Sequence, residues 1–77
     1  MSSELVPGIT ADAAIAFGKP VIEGTRIPAA LILGQLAGGI SADEICAEYD
    51  ITPQQILAVL RYAAWLAGQE VVRVRAG

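Results

Sequence analysis

Seventy-seven residues with a net charge of −3 and a pI of about 4.6 make one domain, at the size where a single core is marginal. That charge excludes avid, sequence-blind binding to nucleic acid, which needs clustered Lys and Arg, and leaves room only for a local contact. The chain is nevertheless 55% hydrophobic, more apolar surface than so small a domain buries alone, so a partner surface is expected.

A single Cys permits no internal disulfide, and with no His anywhere in the chain Cys46 has no imidazole to activate it. Cys46 lies in a helical pattern between Ile45 and Ala47 and reads as a small buried hydrophobe. Met1-Ser2-Ser3-Glu4 lacks the basic start and apolar run of a secretory leader, and the longest apolar stretch, Ala29 to Ile40, is too short to span a bilayer. A cytoplasmic location is expected.

Met1 to Glu4 is expected to fray. Leu5 to Thr10 reads as extended chain broken at Pro7-Gly8. Asp12 suits the cap of a brief helical turn through Ala16, ended by Gly18, with Phe17 available to a core. The stretch Gly18 to Pro28, GKPVIEGTRIP, organises the rest. Gly18 accepts positive φ, Lys19-Pro20 is biased extended, and Val21-Ile22 favours a strand. Glu23-Gly24 reads as a tight turn, Arg26-Ile27 as a second short extended piece, and Pro28 as a helix start. The bland reading of this stretch is a linker.

Helix one is expected from Pro28 to about Ala37, with Thr25 as a cap, Leu31, Ile32, Gln35 and Leu36 at three-and-four spacing, and Gly38-Gly39 as the stop. Helix two starts at the capping box Ser41-Ala42-Asp43-Glu44, buries Ile45, Cys46 and Tyr49, and ends near Tyr49. Asp50-Ile51 is the turn. Helix three opens with a second box, Thr52-Pro53-Gln54-Gln55, and is expected to end at Gly68. Ile56, Val59, Leu60, Ala63 and Ala67 form its expected core stripe, with Gln54, Gln55, Ala58, Arg61, Tyr62 and Trp65 on the other side. The tail from Val72 alternates, placing Val72 and Val74 on one face of a strand and Arg73 and Arg75 on the other.

The ordered run Gly18-Lys19-Pro20-Val21-Ile22 and Gly24-Thr25-Arg26-Ile27-Pro28, continued by Ala37-Gly38-Gly39-Ile40-Ser41, Asp43-Glu44-Ile45, Tyr49 and Tyr62-Ala63-Ala64, resembles domain-of-unknown-function family four hundred and thirty-three. Members are proposed as antitoxins of the VapB type, usually encoded beside PIN-like ribonuclease toxins. The resemblance implies an N-terminal β-element before a compact helix-turn-helix core. It departs from the family at Ala13 and Phe17, where relatives usually show the Pro of an Asp-Pro pair and a second Gly.

The expected architecture is mainly α within an α+β domain. A short β-element (1–27) precedes a three-helix, helix-turn-helix core of winged-helix or homeodomain-like form (28–68), and a strand-like tail (69–77) follows. No His, paired-Cys spacing or phosphate loop is present, so no enzyme activity, metal or cofactor is expected. What remains is binding. At the start of helix three, Gln54 and Gln55 suit adenine edges, Thr52 a phosphate, and Arg61 the backbone a turn or two later; two ordinary solvent-facing Gln explain the same residues. Gly18, Lys19, Pro20, Gly24, Thr25, Arg26 and Pro28 read as scaffold, with the Arg26 guanidinium tying a carboxylate or exposed carbonyls. Val72, Arg73, Val74 and Arg75 read either as a partner-capturing edge strand or as the strand that completes a sheet. The expectation is a homodimer that neutralises a PIN-like toxin and represses its own operon by binding operator DNA. The alternative is a dimeric interaction module of the same shape that never binds DNA.

Overall fold

In the computed structural model, residues 2–69 are described; the predicted tail strand with Val72, Arg73, Val74 and Arg75 lies outside them. Three antiparallel strands come first and three helices follow. β1 (Ser2–Val6) and β2 (Ile9–Asp12) form a hairpin around Pro7-Gly8, pairing Ser2 with Asp12, Glu4 with Thr10 and Val6 with Ile9. An irregularity between Glu4 and Val6 leaves Leu5 as the extra residue. Ser2 to Glu4 therefore do not fray: the ladder with β2 pairs one side of their backbone, which the polar side chains gave no hint of.

β3 (Val21–Ile22) adds to the other side of β2, with Ile9 opposite Ile22 and Thr10 opposite Val21. Successive side chains alternate across the sheet, so Ile9 and Ile22 face the helices while Val21 is buried on the opposite side. The linker between β2 and β3 is not the helical turn expected. Asp12 Oδ1 accepts the Ala14 N–H at 2.9 Å, and Ala16, Phe17 and Gly18 then follow one another at φ 50°, 58° and 80°, a left-handed turn. It holds Phe17, which the sequence made available to a core, out in solvent at 98% exposure.

The Glu23-Gly24 turn forms as expected. Thr25 N–H donates to Ile22 O at 3.0 Å, and Gly24 takes φ +77°, as the third position of a type II turn demands. The chain returns beside β3, with Ile22 N–H on Ile27 O at 3.0 Å and Val21 bridged to Pro28. Thr25 is not the cap of the following helix. Its hydroxyl donates to Ile22 O at 2.7 Å and accepts from Ile27 N–H at 3.0 Å, which locks the hairpin instead.

α1 (Ala29–Ala37) follows with Pro28 in the cap position and Gly38-Gly39 at its end. It buries Ala29 and Ile32, with Leu33 and Leu36 half-buried, while Leu31 faces out. α2 (Ala42–Tyr49) starts with Ser41 Oγ accepting the Glu44 N–H at 3.2 Å and stops at Asp50, which is left-handed at φ 55°. Gln35 Nε2 donates to the Tyr49 hydroxyl at 2.8 Å and ties α1 to α2.

α3 (Pro53–Gln69) begins with both bonds of its capping box. Gln55 N–H donates to Thr52 Oγ1 at 3.2 Å, and Thr52 N–H donates to Gln55 Oε1 at 2.8 Å. Its inner face carries Ile56, Ala58, Val59 and Tyr62. Ala58 and Tyr62 had been expected outside, and Leu60 and Ala67 within; the latter two are exposed. The reason is the sheet. All three strands pack on α3 in addition to α1 and α2, so the buried arc is rotated towards Ala58 and Tyr62 and away from Leu60. Gly68 lies inside α3 and does not end it.

One core joins the layers: Val6, Ile9 and Ile22 from the sheet, Ala29 and Ile32 from α1, Ile45 from α2, Ile51 from the turn, and the inner face of α3. The largest fully buried side chains, Ile9, Val21, Ile22, Ile32, Ile45 and Val59, are all Ile or Val. Each contributes about 1.5–3 kcal/mol of burial free energy against the entropy of ordering the chain.

Candidate interaction site

The Pro7-Gly8 turn lies over the first turns of α3. Gly8, at φ +91°, sits so close that a Cβ there would stand 2.7 Å from the Cβ of Ala58. Arg61 reaches back across this junction, its Nη1 donating to Pro7 O at 2.9 Å. Between turn and helix opens a cleft of about 400 Å³ lined by Pro7, Gly8, Ile22, Glu23, Gln54, Gln55, Ala58 and Arg61.

Three of the four residues expected to read DNA thus meet in one cleft, and the structure gives each a distinct state. Gln54 is exposed at the cleft edge. Gln55 is half-buried, and its carbonyl oxygen accepts the Thr52 N–H, which fixes the amide at the cleft wall. Arg61 is exposed but already bonded to the hairpin. Thr52 lines no part of the cleft, and its hydroxyl serves the helix cap. Glu23 lines the same cleft, a neighbour that sequence distance alone hid.

A second cleft, of about 410 Å³, lies on the side of the sheet where Val21 is buried. It is lined by Ser2, Thr10, Ile15, Val21, Glu23, Gly24, Thr25 and Arg26. Arg26 is exposed there and, among the described residues, makes no hydrogen bond or ion pair. The expected tie from its guanidinium to a carboxylate or carbonyl is not made, because Thr25 and the backbone already close the turn. The rest of the motif is scaffold. Gly18 completes the left-handed turn, Pro20 O accepts the Ala29 N–H at 3.0 Å, and Pro28 pairs with Val21 before α1 begins. Lys19 is exposed beside Phe17.

Phe17 adds nothing to the core for which the sequence made it available. A bulky residue at positive φ is strained by about 1–3 kcal/mol, and here the strain coincides with the most exposed large apolar side chain of the described residues. The resemblance singles the position out, since it implies a second Gly there, the residue that such a conformation favours.

Among the described residues no three His, Cys, Asp or Glu cluster in a way that would hold a metal, and Cys46 is a half-buried free thiol. No described helix is long and apolar enough to cross a membrane.

The model of the family DUF433, described as a protein of unknown function, matches residues 9–63. The match runs from β2, through the motif and both clefts' main walls, to the inner face of α3. No curated protein and no solved structure matches this chain.

Proposed function

The chain belongs to the DUF433 family, and on that footing we propose that it is a non-catalytic binding protein, the antitoxin half of a type II toxin–antitoxin pair, which neutralises a PIN-like ribonuclease. The observation that supports partner capture most strongly is Phe17. Its ring stands almost wholly in solvent on a strained left-handed turn, with Lys19 beside it. Aromatic anchors of this kind carry a disproportionate share of the energy in protein interfaces. The identity of the partner as a ribonuclease rests on the family resemblance. The test is co-expression with the product of the neighbouring reading frame. A complex that survives size exclusion and loses ribonuclease activity at stoichiometric ratio is expected. An uncomplexed, fully active ribonuclease would end the antitoxin reading.

Repression of its own operon is the second part of the proposal. The order α2, short turn, α3 is that of a helix-turn-helix, and the capped start of α3 leaves Gln54 exposed for a base edge. One observation favours the rival, an interaction module that never binds DNA. Asp43, Glu44, Glu48 and Asp50 are all exposed on α2 and its end, while α3 offers Arg61 alone among the cations. A polyanion approaching that pair meets four carboxylates first. A gel shift with the chain's own upstream DNA separates the two. Retardation that weakens in Gln54→Ala supports repression; no retardation at low salt leaves the interaction module.

A further inference from the structure

The face of α3 turned away from the core is apolar and periodic. Leu57, Leu60, Ala64 and Ala67 are all exposed, Leu57 at 55% and Leu60 at 44%. Their spacing, three, four and three residues, is the a/d pattern of a helix that packs along another helix. Among the described residues this seam has no partner, since Ile56, Ala58, Val59 and Tyr62 make the inner face. From the structure we infer that the seam is the interface of a homodimer in which two copies of α3 pack antiparallel about a two-fold axis.

A second copy is the occupant the seam itself specifies. Its large residues, Leu57 and Leu60, lie in the N-terminal half and its small ones, Ala64 and Ala67, in the C-terminal half. A two-fold interface requires a self-complementary patch. Antiparallel pairing supplies it, because Leu57 then meets Ala67 of the other copy and Leu60 meets Ala64. Large side chains fill the space above small ones at every layer. Parallel pairing would stack Leu on Leu at one end and leave Ala facing Ala, under-packed, at the other.

Charge points the same way. Each chain carries −3, so two copies must meet where carboxylates are absent. Every described Asp and Glu lies on the sheet, its turns, α2 or the residue that ends it; from Ile51 to Gln69 the only charge is Arg61, and that guanidinium is bonded to Pro7 O. This assignment is independent of the ribonuclease reading, because its readout is association of the chain with itself.

Sedimentation equilibrium of the full chain at tens of micromolar is the first measurement, and a dimer is expected. Leu57→Glu/Leu60→Glu should weaken association by roughly 100-fold or more while circular dichroism and melting stay those of a folded chain, since both side chains are exposed. Phe17→Ser, which removes a still more exposed apolar group outside α3, should leave the dimer intact. Geometry is read by cross-linking in a Cys46→Ser background. Leu60→Cys/Ala64→Cys should oxidise to a covalent dimer, and Leu57→Cys alone should not. This second measurement stands even if the Glu variant fails to fold. A monomeric wild type, a dimer indifferent to the two Glu, or efficient Leu57→Cys self-cross-linking, which only a parallel pair allows, would each overturn the inference.

Discussion

The sheet turns twice on a glycine, and the two turns are held by different things. At Glu23-Gly24 the holding is local. Thr25 gives its N–H and its hydroxyl to Ile22 O and accepts the Ile27 N–H, and a Cβ built on Gly24 meets nothing within 4 Å. At Pro7-Gly8 the holding is tertiary. Gly8 is pressed on Ala58, its carbonyl accepts the Glu23 N–H at 2.9 Å, and Pro7 O accepts from Arg61. Both glycines sit at positive φ. The first turn therefore needs glycine for its conformation alone, and the second needs it for conformation and for space. Gly8 is where the β-layer is fastened to the helices, and its carbonyl also joins the two turns to each other.

Gly8→Ala sharpens that difference most. The new methyl adds about 1–2 kcal/mol of left-handed strain to about 1–3 kcal/mol of overpacking against Ala58, so a loss of about 2–5 kcal/mol is expected in chemical denaturation. That is a large part of the stability of a small domain. Ala58→Gly made in the Gly8→Ala chain should return the overlap portion and none of the strain, apart from its own helix-propensity cost of about 1 kcal/mol. Additive effects of the two substitutions would mean that the hairpin does not press on α3.

Gly24→Val comes next. A β-branched residue is placed at positive φ in open space, so only strain is expected, about 1–3 kcal/mol, with no partner substitution that rescues it. A loss equal to that of Gly8→Ala would erase the distinction between the turns.

The same contrast between local and tertiary causes explains what the sequence could and could not say. The Glu23-Gly24 turn, the Val21-Ile22 strand, the stop at Gly38-Gly39 and the two capping boxes are settled by neighbours in the chain, and all were legible, although at Ser41 only the bond from Glu44 N–H is made. The inner face of α3 was not, because helical periodicity reports which residues are apolar and not which side meets the core. Leu57, Leu60, Ala64 and Ala67 carry a complete apolar pattern that reads equally as a core stripe, and only the sheet packed beside Ala58 and Tyr62 decides between the two. The candidate site was legible in part. Gln54, Gln55 and Arg61 were named from their place at a helix start, whereas Glu23 and Pro7 reach the same cleft only through the fold. Thr25 was given the wrong task for a similar reason: a hydroxyl three residues after Ile22 closes the turn it sits in before it can serve the helix that follows.

Phe17 gives the smallest effect on stability and the sharpest test of function. Its turn is local like that of Gly24, but it is occupied by the wrong residue type for its backbone. Phe17→Gly should release about 1–2 kcal/mol of left-handed strain and lose about 0.5–1 kcal/mol to the greater freedom of the unfolded chain. The net is a gain of about 0–1.5 kcal/mol, seen as a melting temperature that holds or rises by a few degrees. Nothing in the fold opposes the change, since the ring is 98% exposed. Phe17→Ala keeps the strained backbone and deletes the ring, so it should melt at or slightly below wild type. If the ring anchors a partner, both variants should lose affinity for it by tenfold or more, although their stabilities move in opposite directions. A fall of several degrees in Phe17→Gly would mean that the ring packs on this chain after all. Undiminished partner binding by both variants would leave the strain at Phe17 without the functional cause proposed for it.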